Sequence, residues 1–134
     1  MIRLINKIEC CPAKHLATAV LISNSKISFP HYVPWEKIPT YGLLTAETSD
    51  ALESVRMFTT KVTCRIRCRR PEWTEPMAFR LTTVGGVQLV VGLSFRPFPT
   101  WTTKDVYSEN PSDRSEVQLN LSWKSIYGMM EVVG

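Results

Sequence analysis

Alternating apolar and polar positions predict strands along most of this chain, and residues 79–93 carry the clearest alternation. Two arms rich in β-branched and aromatic residues meet at Gly85-Gly86, the mark of a tight hairpin. A two-residue Gly85-Gly86 loop would set Val84 opposite Val87, Leu81 opposite Val90 and Phe79 opposite Gly92, which sends the apolar sets of the two arms to opposite faces. A three-residue loop, Val84-Gly85-Gly86 with Gly86 left-handed as a bulge, instead pairs Thr83 with Val87, Leu81 with Leu89 and Phe79 with Val91. Phe79, Leu81, Thr83, Val87, Leu89, Val91 and Leu93 then share one face, while Arg80, Thr82 and Gln88 share the other. The second register is preferred because it gives the hairpin a single core-facing wall.

Residues 55–68 alternate as strictly, with Phe58, Thr60, Val62, Cys64, Ile66 and Cys68 on one face and Thr59, Lys61, Thr63, Arg65 and Arg67 on the other. A run of this length exceeds the usual strand, so a bulge or strong coil is expected in it. Residues 2–10 read as a first strand that Pro12 ends, and residues 117–123 as a late half-buried strand. Residues 16–22 fit either a buried strand or a short helix; their Val-Leu-Ile end favours the strand. Residues 43–48 read as a short strand, followed by one helical turn over residues 49–53 with Asp50 capping towards Glu53.

Between these elements the pattern breaks in recognisable ways. Pro30, Pro34 and Pro39 forbid a helix in the aromatic-rich loop 29–42, whose Tyr32 and Trp35 either tuck over an open end of the core or face a partner. Residues 69–76 form a turn region, and Pro97 and Pro99 take the chain out of the sheet after the hairpin. Residues 100–115 are polar and read as a long exposed loop, and residues 126–133 as a loop or short final extension. The expected fold is a single mainly β domain spanning residues 1–134, an antiparallel β-sandwich or partly open β-barrel of about six to eight strands with at most one short helix.

Composition supports a folded chain rather than a disordered one, with 44% hydrophobic and 21% charged residues. The longest clean apolar run is far short of the roughly 20 residues of a membrane helix, and the N-terminal residues lack an apolar stretch followed by a cleavage site. A cytoplasmic location, with no membrane partner, is therefore expected. There Cys10, Cys11, Cys64 and Cys68 are expected to be free thiols. On a strand Cys64 and Cys68 would stand roughly 13 Å apart, too far for one tetrahedral ion, and adjacent Cys10 and Cys11 would point to opposite faces. No metal or cofactor is expected.

The net charge of +4 is unevenly placed, because Arg56, Lys61, Arg65, Arg67, Arg69 and Arg70 fall close together. Such a run is an ordinary solvated sheet face, a surface for a protein partner, or part of a nucleic-acid groove. The third reading, a small OB-like barrel, would pair Lys61, Arg65 and Arg67 with stacking aromatics such as Trp73, Phe95, Phe98 or Trp101; yet the outward positions between the basic residues hold threonine. For catalysis the chain offers only His15 and His31 as histidines. A Cys-His nucleophile pair, for instance Cys11 with His15 or His31, stays open, and no phosphate loop, metalloprotease or hydrolase motif is present.

Residues 79–92, Arg96-Pro97-Phe98-Pro99 and the strand Val117-Gln118-Leu119-Asn120-Leu121-Ser122-Trp123-Lys124 resemble small β-rich proteins encoded in the structural modules of tailed phages and prophages. The resemblance covers about a third of the chain. It implies a virion-assembly role near the head-tail junction or in the tail, as a ring or with neighbouring structural subunits, and it brings no catalytic residue. The leading expectation is accordingly a non-enzymatic, prophage-derived structural or assembly protein acting through protein-protein contacts, self-association included. Its candidate partner-binding residues are Lys61, Arg65, Arg67, Tyr32 and Trp35, beside the loop 100–115. An OB-like nucleic-acid-binding protein is the alternative, and an enzyme of unknown class comes third.

Overall fold

A computed structural model describes residues 2–23, 25–52, 55–66, 71–106 and 116–133. The chain is mainly β. Its strands are β1 (Ile2–Pro12), β2 (Val20–Ser23), β3 (Lys26–Ser28), β4 (Glu36–Lys37), β5 (Thr40–Leu52), β6 (Arg56–Ile66), β7 (Met77–Thr83), β8 (Gln88–Val91), β9 (Thr100–Val106), β10 (Glu116–Ser125) and β11 (Met130–Val132). They form one sheet in the order β2-β3-β11-β8-β7-β1-β5-β6-β10-β9, with β4 paired to β1. The sheet does not close. All its pairs are antiparallel except β3 with β11.

The β7–β8 hairpin has the bulged register. Phe79 pairs with Val91 and Leu81 with Leu89. Thr83 N–H donates to Val87 O at 2.8 Å, Gly86 N–H donates to Thr83 O at 2.9 Å, and Gly86 has φ +89°. Phe79, Leu81, Leu89, Val91 and Leu93 are buried together. The opposite face is covered as well, since Val90 and Ala78 have no exposed surface.

A sheet this wide buries its inner face by curling, and register shifts interrupt three of its strands, β5, β1 and the edge strand β2, where Ile22 is the extra residue against β3. Residues 42–44 of β5 lie opposite the single residue Cys64, and Asn6 is an extra residue in β1 against β7. The expected bulge thus falls in β5, while β6 runs regularly against β10 from Phe58 to Ile66. Trp73 joins strands that share no hydrogen bonds: its ring stands edge-on to Phe79 of β7 at 5.4 Å and to Trp101 of β9 at 5.1 Å. Trp123 of β10 donates its indole N–H to Pro97 O at 2.9 Å. One continuous core results, with Ile5, Ile8, Leu44, Ile66, Leu119 and Trp123 among its fully covered side chains.

Four expectations need correction. The helical turn at residues 49–53 does not form over its described part, because β5 continues through Leu52 in register with β6 and Asp50 reaches across to Arg56 instead of capping. Residues 16–22 divide between a 3-10 turn, Ala13–Leu16, and β2. The loop 100–115 begins with a strand: β9 pairs with β10 over its whole length, and residues 107–115 lie outside the described set. Among the described residues eleven strands replace six to eight, because β2, β3, β4 and β11 are each too short to read as alternation.

Candidate functional site

The outer face of β5, β6, β10 and β9 is built by parity. On β6, Thr60, Val62, Cys64 and Ile66 turn inward, which leaves Lys61, Thr63 and Arg65 in solvent. Pairing carries that face across the sheet: Glu47 stands opposite Lys61, Ser122 beside Lys61, Asn120 beside Thr63, Gln118 beside Arg65, and Lys104 opposite Gln118. Lys124, opposite Thr59, completes it. Lys61 and Arg65 are therefore joined by Lys104 and Lys124 on one surface, against the single acid Glu47 among the described side chains. Between the charges lies a hydroxyl and amide lattice, with Thr63 donating to Asn120 Oδ1 at 3.4 Å and Gln118 Nε2 donating to the same oxygen at 3.2 Å. Arg67 falls outside the described residues.

No described aromatic ring lies on this face. Trp101 sits at an inward position of β9 against Trp73, and Phe58, on the same parity as inward Thr60, lies beneath the Arg56 guanidinium at 5.8 Å. The stacking platform that a single-strand reader needs is thus lacking among the described side chains.

Tyr32 and Trp35 occupy a different place and part company there. Trp35 packs edge-on against Phe29 at 6.0 Å, and the guanidinium of Arg80 lies over its ring at 5.0 Å. Arg80 in turn donates to both carboxylate oxygens of Glu9, at 2.8 and 2.9 Å, across the β1–β7 pair. Lys7 approaches the same carboxylate at 3.6 Å. Loop 29–38 is a lid on the outer face of β1 and β7, fastened by Ile38 N–H to Ile8 O and by β4. Trp35 is a tucked anchor of that lid, whereas Tyr32 is 90% exposed. Neither lines a cleft with Lys61 or Arg65.

The three described thiols, Cys10, Cys11 and Cys64, are free and buried. Burial raises Cys10 to about 11, with Glu36 and Glu9 adding to the effect; burial raises Cys11 to about 12, with neighbouring Cys10 adding and Arg80 opposing, and it raises Cys64 to about 12. At neutral pH such groups stay protonated, which makes them weak nucleophiles. Cys68 lies outside the described residues. Among the described residues no three of His, Cys, Asp and Glu converge as a metal site, and no helix is long and apolar enough to cross a membrane.

Because the sheet is open it has two terminal strands, and these were not singled out by sequence. Among the described residues β9 has only β10 as a neighbour, and β2 has only β3. On β2, Val20 is 51% and Ile22 56% exposed, so an apolar pair lies beside an unpaired backbone edge. Comparison with protein-family models, curated proteins and solved structures gives no match.

Proposed function

We propose that this chain is a non-enzymatic assembly protein, of prophage origin and built into or onto a virion, that works through protein-protein contacts. The observation that supports this reading best is the open sheet ending in β2, where exposed Val20 and Ile22 accompany a free strand edge. Such an edge adds a strand from another chain: backbone hydrogen bonds supply attraction and alternate side chains supply selectivity. A copy of the same chain can extend the sheet from edge to edge. Light scattering over a hundredfold range of concentration tests this. A defined oligomer is expected, and a monomer throughout would overturn self-assembly.

One observation favours nucleic acid as a second reading. Lys61, Arg65, Lys104 and Lys124 share an outer face that can follow a phosphate backbone. On this reading oligonucleotide binding weakens steeply with added salt, and Lys61→Gln with Lys104→Gln shallows that dependence. Absence of binding at low salt removes it.

A further inference from the structure

At the end of the β5–β6 pair where Leu52 stands opposite Arg56, a cleft of about 650 Å³ opens between β6, residues 126–129, Ser25 and Leu89 of β8. Its volume lies within the range of small-molecule sites, about 300–1,000 Å³. Val55, Phe58, Leu89, Ile126 and Met129 make its walls apolar. Val55 is 54% and Ile126 46% exposed, so unoccupied walls face water.

The charge in this cleft is one-sided. Arg3 and Arg56 are its charged lining residues, and no acidic residue lines it among those described. Arg56 is already engaged, its Nε donating to Asp50 Oδ2 at 2.8 Å. Arg3, on β1 opposite Ala46, is half-buried and has no acidic partner among the described residues. A half-buried cation lacking a counterion is satisfied best by an anion brought from outside, and the adjoining walls select an apolar body for it.

We propose that this cleft binds a medium-chain fatty carboxylate, with the carboxylate on Arg3 and the chain along Phe58, Leu89, Ile126 and Met129. Val20 and Ile22 of β2 do not line it, so the site stands or falls independently of edge-mediated assembly. Isothermal titration of the full chain with decanoate, hexanoate, decanol and decyltrimethylammonium, all below their micelle concentrations, tests the assignment. Decanoate is expected to bind saturably and about tenfold more tightly than decanol, the worth of one charge-assisted contact. Hexanoate should lose about fourfold per missing methylene. The cation should bind least.

Arg3→Gln is expected to abolish the preference for decanoate over decanol, and Ile126→Glu to weaken both, with amide NMR spectra confirming the fold of each. Equal binding of decanoate and decanol by the wild-type chain overturns the proposal without recourse to any variant. So does a wild-type affinity for decanoate in Arg3→Gln, or no saturable binding at all. An oligomer that Ile126→Glu dissociates, in a chain that ignores decanoate, would show that a second copy covers the cleft, and it would likewise overturn the proposal.

Discussion

Gly86 and Gly92 both have positive φ, but their surroundings set different demands. A Cβ on Gly86 would meet nothing within 4 Å, whereas one on Gly92 would lie 2.8 Å from Pro99 Cγ and 3.3 Å from the Ala78 backbone. Gly86→Ala should therefore cost only the conformational strain, about 1–2 kcal/mol. Gly92→Ala adds overpacking and should cost about 3 kcal/mol or more. Urea denaturation of the two variants checks the order. Glu9 and Arg80 make a second residue-scale test, because both side chains are largely buried, with 8% and 20% exposed. Arg80→Met strands the carboxylate with only Lys7 nearby and should destabilise by about 3 kcal/mol; Glu9→Leu with Arg80→Met should recover most of that loss. A double variant no more stable than the single would contradict the account of the lid.

Among the elements, β6 shows how chemistry follows from parity. Cys64 faces the core because its neighbours Lys61, Thr63 and Arg65 face water, and burial then holds its thiol neutral. A pKa raised on folding contributes stability that is complete below the unfolded value near 9 and is lost as pH rises towards about 12. Wild type should thus lose more stability between pH 8 and about 10.5 than Cys64→Ala, as read by denaturant midpoints. In Cys68→Ser, where Cys10, Cys11 and Cys64 remain, Ellman's reagent should react only on unfolding. Rapid labelling of the native chain would contradict their burial.

The same scale shows what the sequence made legible. Parity determined the β7–β8 register, because a slip of one residue would have sent Leu89 and Val91 to the face opposite Phe79 and Leu81. It also determined the inward and outward sets of β6, and hence that Lys61 and Arg65 share a face. Ser49-Asp50-Ala51-Leu52 misled because its capping pattern is local, while the competing partner, Arg56 on β6, is chosen by a hairpin. Thr100-Trp101-Thr102-Thr103 has strand-forming residues, but the polar stretch after it obscured them, and with them Lys104. Lys124 was legible by extending the alternation of Gln118, Asn120 and Ser122 by one step. Trp35 could be placed only by Arg80 and Phe29, contacts remote in sequence or set by the lid.

At the scale of the whole molecule, the decisive property is that eleven strands curl around one core without closing. Closure would remove both edges; this sheet keeps β2 and β9 at its ends. A lone chain that leaves Val20 and Ile22 exposed beside an unpaired edge has a surface suited to another strand, and lysine is the residue that protects such edges. The most direct test is the mass in solution of wild type and of Val20→Lys with Ile22→Lys, measured side by side by light scattering. Both positions are exposed, so the variant should fold as the wild type does. The account predicts a defined oligomer for the wild-type chain and a monomer for the variant; a monomeric wild type, or the same oligomer in both, would contradict it.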